Sequence, residues 1–281
     1  MKKIGLALMM VNMAASAMAV DVIKPEILPH AAGTKLNFSV EKGPGFGGPF
    51  VPLYRVYGSG VSLEIKNGGF PNDPFAMYEV TGTLFGRKLS SGNSIKHENF
   101  GGRTGVQVDA AGMSARFFRQ DGWPELSVEA RVDPAMDAAG AMVFAVLAHY
   151  LPRINGAAHA PGNYQPASRF SLRQLGPDTV LADGQGLSNL RVERFRWGQG
   201  YRYTVRGSGF GRNFDGADRL EFETDPSFLG SRGIRARGCG MNLEIREDGF
   251  AGGRISVQGD PGDSVDLVVF TAAFIRNLTP N

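Results

Sequence analysis

Leu190-Arg191-Val192-Glu193-Arg194-Phe195-Arg196-Trp197, then Gly198-Gln199-Gly200, then Tyr201-Arg202-Tyr203-Thr204-Val205-Arg206-Gly207-Ser208-Gly209 is the most legible stretch of this chain. Two alternating runs flank a short glycine loop, which is the pattern of a β-hairpin. A three-residue loop at Gly198–Gly200 sets Trp197 opposite Tyr201, Phe195 opposite Tyr203 and Glu193 opposite Val205. That aromatic side is expected in a core. The other side sets Arg196 opposite Arg202, Arg194 opposite Thr204 and Val192 opposite Arg206. It gathers Arg194, Arg196, Arg202 and Arg206. Like charges facing each other across strands destabilise a sheet, so this side calls for acids, either internal or from a ligand. Glu221 and Glu223, on a neighbouring strand, are the internal candidates.

The rest of the chain reads the same way. Short alternating runs recur, among them Leu36–Val40, Val61–Lys66, Leu126–Val132, Arg219–Thr224 and Met241–Arg246. With 39 glycines and 16 prolines among 281 residues, turns joining short strands are the economical reading. The fold expected is mainly β, an antiparallel sandwich or barrel-like architecture, with one buried helix near 134–151. Asp133-Pro134 suits a helix start, the run to Leu151 is apolar nearly all round, and Pro152 stops it. Val265–Ile275 fits a buried strand or a second short helix. An outer-membrane barrel is disfavoured, because regular ten-residue alternation with aromatic girdles is missing.

Met1–Ala19 has the parts of a secretory signal peptide: Lys2 and Lys3, an apolar run from Ile4, and Ala17-Met18-Ala19 as a cleavage site. The expected organisation is a leader at 1–19, a β-rich N-terminal subdomain with the helix at 20–151, a linker or long loop at 152–168, and a β-rich C-terminal subdomain at 169–281. Cys239 is the single cysteine, so no internal disulfide forms. The expected location is the periplasm or the secreted fraction of a Gram-negative bacterium. No stretch is long and apolar enough for a transmembrane anchor.

Loss of Lys2 and Lys3 takes Lys+Arg from 30 to 28 against 27 acidic residues, a net charge of +1. Nucleic acid is therefore not an expected partner, since that requires a clustered basic excess. Gly60–Phe70 and Gly240–Phe250 match at six of eleven positions. They read as two similar strands ending in turns, with an internal duplication as the alternative.

No catalytic constellation stands out. His30, His97, His149 and His159 lack metal-ligand spacing, and no metal or cofactor is expected. His97-Glu98, in a polar glycine-rich segment, is the nearest approach to an acid/base pair. Glu125 with Glu129, and Glu221 with Glu223, are the carboxylate pairs a glycosidase would use. Cys239 is flanked by arginines that could lower its pKa, but a buried inert thiol is the ordinary reading. Gly207-x-Gly209-x-Gly211 lacks the spacing of a dinucleotide loop. The expected function is an exported binding protein that recognises an acidic glycan, another anionic ligand or an envelope partner protein through Arg194, Arg196, Arg202 and Arg206. The alternative is a carbohydrate-active enzyme, a polysaccharide lyase or hydrolase of β-sandwich type.

Overall fold

The computed structural model describes residues 35–43, 54–67, 77–123, 125–132, 136–151, 168–216, 218–226, 232–248, 254–262 and 264–278. The leader, Asp133-Pro134 and all but the last residue of the expected linker at 152–168 lie outside the described residues.

The strands are β1 (Leu36–Lys42), β2 (Tyr54–Gly58), β3 (Val61–Asn67), β4 (Tyr78–Leu84), β5 (Arg87–Leu89), β6 (Ser94–Phe100), β7 (Arg103–Ala110), β8 (Met113–Gln120) and β9 (Leu126–Val132), followed by helix α1 (Ala138–Tyr150). Then come β10 (Ser168–Gly176), β11 (Thr179–Gly184), β12 (Leu187–Trp197), β13 (Gly200–Gly209), β14 (Arg212–Asn213), β15 (Leu220–Pro226), β16 (Arg232–Gly238), β17 (Met241–Asp248) and β18 (Arg254–Asp260), followed by α2 (Val265–Leu278). All pairings are antiparallel. Sixteen strands close into a barrel through β9–β10 and β1–β18, with the short β5 and β14 as side pairings. The mainly-β, barrel-like reading thus holds. The helix expected near 134–151 is α1, and Val265–Ile275 resolves as helix.

Each wall strand alternates. Val61, Leu63 and Ile65 of β3 are buried, while Ser62, Glu64 and Lys66 are exposed. The buried side faces the lumen. A ring of about sixteen strands encloses more space than its own side chains can fill. The two helices occupy that space. Ala138–Ala148 of α1 are all buried, which is why the helix is apolar on every side. In α2, Phe270 and Phe274 meet Phe170, Phe210, Tyr203 and Phe222 of the wall at ring-centroid distances of 4.8–5.8 Å. The helices also pack on each other. α1 starts on Asp137, whose carboxylate accepts the Gly140 N–H at 2.7 Å; in α2, the Ser264 hydroxyl accepts the Leu267 N–H at 3.3 Å.

The outside of the barrel carries Arg55, Glu64, Lys66 and Glu79, each exposed or half-buried. Arginine or lysine on a lipid-facing wall costs about 2–4 kcal/mol at mid-bilayer, so the wall at β2–β4 faces water. Among the described residues no helix is long and apolar enough to cross a membrane.

The architecture repeats. β1–β9 with α1 and β10–β18 with α2 have the same order: four strands, a short strand, four strands, a helix. Gly82-Thr83-Leu84-Phe85-Gly86-Arg87 corresponds to Gly207-Ser208-Gly209-Phe210-Gly211-Arg212. Phe85 and Phe210 both have left-handed backbones (φ 47° and 54°), and so do Ala111 and Cys239 in matching turns (both φ 52°). Phe85 donates its N–H to Gly60 O, and Phe210 donates its own to Gly186 O. The match between Gly60–Phe70 and Gly240–Phe250 is out of phase with this repeat: β3 corresponds to β12, and β17 to β8.

Gly82 and Gly207 show what fixes the repeat. Their φ values are 128° and 110°, and an added Cβ would lie 2.2 Å from Ser62 O and 2.3 Å from Asn189 O. Gly211 has φ 72° but open space around it. A left-handed backbone alone costs a side chain roughly 1–2 kcal/mol. Gly211→Ala is therefore expected to lose about 1 kcal/mol, and Gly207→Ala and Gly82→Ala about 3 kcal/mol or more each, because the neighbouring strand must also move. Urea unfolding midpoints of the three variants check this ordering.

Candidate functional site

The β12–β13 hairpin forms, but in another register. Trp197 pairs with Gly200, Arg196 with Tyr201, Phe195 with Arg202, Arg194 with Tyr203, Glu193 with Thr204 and Val192 with Val205. The connection has two residues, Gly198 and Gln199, with Gly198 at φ 56°. Gly200 belongs to the strand: a Cβ there would lie 1.8 Å from Thr224 O. A shift of one residue exchanges the faces of a strand. The four arginines therefore do not share a face. Arg194 and Arg196 continue the lumen-facing side of Leu190 and Val192 toward the mouth, while Arg202 and Arg206 point outward with Phe195 and Trp197. The expected aromatic core side also dissolves. Tyr203 is buried, but Phe195 is 49% and Trp197 55% exposed.

Internal acids answer three of the four arginines. Arg194 bonds Asp178 Oδ1 at 2.9 Å and Pro177 O at 2.8 Å, and lies 4.8 Å over the Tyr201 ring. Its hydrogen bond to Asp178 raises the guanidinium pKa further. Arg202 meets Glu223 at 2.6 Å, and Arg206 meets Glu193 at 3.3 Å. Of the two expected acids only Glu223 reaches this group, since Glu221 pairs with Arg219. Arg196 is exposed and has no ion-pair partner among the described residues. Arg202 also lies flat on Trp197, with its Cζ 3.8 Å from the ring centroid, a close cation–π contact. The tip of this hairpin thus presents Phe195, Arg196 and a Trp197–Arg202 stack to solvent.

His97-Glu98 is not an acid/base pair. Both residues lie in β6 and not in a loop, and neighbours on a strand face opposite ways. His97 points into the lumen, its ring 5.8 Å from that of Tyr78. Glu98 points outward and accepts a bond from Arg116, and both side chains are about 95% buried. Phe118 stacks between Arg103 and Arg116, at 5.0 and 5.6 Å. Glu129, opposite Arg116 on β9, bonds Arg169 at 2.8 Å. The carboxylates Glu129, Glu221 and Glu223 are each engaged by an arginine, so the glycosidase pairing finds no support in their geometry. Burial raises the Cys239 thiol pKa, with Asp218 adding to the effect and Arg212 opposing it, so the arginines nearby do not activate it. Gly207 makes close strand contact with β12, where an added Cβ would lie 2.3 Å from Asn189 O. Among the described residues no group of three His, Cys, Asp or Glu could hold a metal ion.

A cavity of about 510 Å³ opens at the end of the barrel away from the β12–β13 tip, lined by Asn93, Asp109, Ser114 and Arg131 among others. Its carboxylate, Asp109, is already held by Ser114 at 2.6 Å and Lys96 at 3.8 Å.

Comparison with protein families, with curated proteins and with solved structures finds no match. The class defined by the geometry is a helix-filled antiparallel barrel with a polar outer wall and an exposed arginine–aromatic hairpin tip.

The two kinds of ion pair differ in what they hold. Breaking a buried pair costs about 3–5 kcal/mol, and a surface pair about 0–1 kcal/mol. Glu98→Ala is expected to lower stability by about 3 kcal/mol, and Glu223→Ala by less than about 1 kcal/mol. Chemical denaturation of both variants measures the difference.

Proposed function

We propose that this protein is an exported binding protein, located in the envelope or secreted, that takes an anionic ligand at the β12–β13 hairpin tip. The observation that carries the reading is Trp197, about half exposed at 55%, with Arg202 stacked on its face. Exposed aromatics of this size are costly to leave in water, and Trp with Arg is the pairing most used to anchor a partner. Phe195 widens the platform. Arg196 supplies a cation that no acid among the described residues answers. Arg194 and Arg206 are held by Asp178 and Glu193. They position the hairpin and take no further part. The contact is therefore narrower than a four-arginine face. Export rests on the leader pattern of Met1–Ala19.

The ligand chemistry is a phosphate, sulfate or carboxylate group next to a surface the aromatic rings can cover. A planar guanidinium bonds such groups in bidentate fashion. The test is binding of the chain from Val20 onward to sulfated and uronic-acid polysaccharides, to anionic lipid vesicles and to acidic protein. Trp197→Ala and Arg196→Ala are expected to weaken binding to the responsive probe by about tenfold each, equivalent to ~1.4 kcal/mol. Arg206→Ala is expected to leave it unchanged. Equal binding by the wild-type protein and both tip variants to every probe would sink the reading.

A further inference from the structure

Five large apolar side chains of the described residues are exposed: Tyr57, Trp123, Leu175, Phe195 and Trp197. Four of them lie on three hairpin tips. Trp123 follows β8, Leu175 ends β10, and Phe195 with Trp197 ends β12. Strands β8 to β13 are consecutive around the wall and alternate in direction. The connections β8–β9, β10–β11 and β12–β13 therefore all lie at one end of the barrel, as consecutive hairpins. Each tip also exposes an arginine: Arg119, Arg173 and Arg196. Asp121 and Glu125 offset two of these charges, and Asp178 is already tied to Arg194. A small positive excess remains.

We infer that this rim docks the protein on the headgroup layer of a bilayer bearing anionic lipid. The inference rests on the reading that the β12–β13 tip is a binding site, and it names the ligand of that site. Neighbouring hairpins lie two strand spacings apart, about 10 Å, so the three tips span about 20 Å of rim. A protein partner buries one contiguous apolar patch at its interface centre. Here the apolar groups stand on separate tips with arginines between them. That arrangement suits an interface where Trp, Phe and Leu enter the acyl boundary while guanidinium groups stay among phosphates. The charged outer wall sets the depth, since four of the five exposed large apolar side chains among the described residues stand at these tips.

The chain contains two tryptophans, and both are on this rim, so its intrinsic fluorescence reports the docking directly. Phosphatidylcholine vesicles containing phosphatidylglycerol are expected to shift the emission to the blue and to shield it from acrylamide. Lipid brominated in its acyl chains is expected to quench it. Trp123→Phe and Trp197→Phe, each leaving one reporter, are both expected to keep the response. Leu175→Asp, which adds no tryptophan change, is expected to weaken vesicle partitioning on the order of tenfold with an unaltered circular dichroism spectrum. Emission unmoved by vesicles, or moved only through Trp197, overturns the rim proposal. If vesicles fail while a sulfated polysaccharide or an acidic protein still binds in an Arg196-dependent way, the lipid assignment falls and the binding site stands. If no anionic probe binds, both fall.

Discussion

A ring of sixteen antiparallel strands cannot fill its own lumen, and this fold depends on two apolar helices doing so. An unfilled barrel of that width leaves an aqueous channel. Here every wall strand turns an apolar side inward, and those sides are buried only because α1 and α2 are present. Helix α1 in turn is hydrophobic all round because it is buried over Ala138–Ala148, and α2 is buried over Leu267–Ile275. Neither part is stable in water without the other. The same constraint explains the exterior. With apolar residues committed to the lumen, charge is left for the outer wall, which is the reverse of a membrane-spanning barrel.

The internal repeat follows the same logic. Each half contributes eight ring strands and one helix, so each half fills about its own share of the lumen. Several of the positions that match between halves are those where backbone leaves no choice. Gly82 and Gly207 lie against a neighbouring carbonyl where no Cβ fits, and Phe85 and Phe210 turn through left-handed backbone before a glycine. The match also takes in lumen-facing wall positions: in the same alignment Tyr78 and Val80 of β4 correspond to Tyr203 and Val205 of β13, all four buried. The more conspicuous match, Gly60–Phe70 with Gly240–Phe250, lies outside this phase: β3 and β17 each follow a turn glycine and alternate aliphatic with polar residues.

Charge on the outer wall is organised as local pairs. Arg116 with Glu98 is buried, while Arg202 with Glu223 and Arg206 with Glu193 lie nearer solvent. Arginines that look like a binding face when written on one hairpin are mostly answered by acids on that hairpin and on the strands and turns next to it. Arg196 escapes because β12 runs past the end of β11, whose pairing stops at Thr179 with Glu193. The β12 side of the tip is left beyond β11, while its β13 side stays paired with β15, and the exposed aromatics Phe195 and Trp197 lie on that β12 side.

The sequence by itself determined the class of fold, the strand at nearly every alternating run, the helix near 134–151 and the β12–β13 hairpin, since periodicity and glycine turns are local properties. It left Val265–Ile275 open, because an eleven-residue apolar run suits a buried strand as well as a buried helix. It also misplaced the hairpin register by one residue. Gly198-Gln199-Gly200 closes as a two- or a three-residue turn, and only the contact of Gly200 with Thr224 O excludes a side chain there and draws that glycine into the strand. That one residue moved Phe195 and Trp197 from core to solvent and divided the four arginines between two faces. Barrel closure, the helices in the lumen and the alignment of Trp123, Leu175, Phe195 and Trp197 on one rim were decided by tertiary structure alone. They depend on pairings between residues far apart in the chain, and no local pattern encodes which strand a given strand will meet.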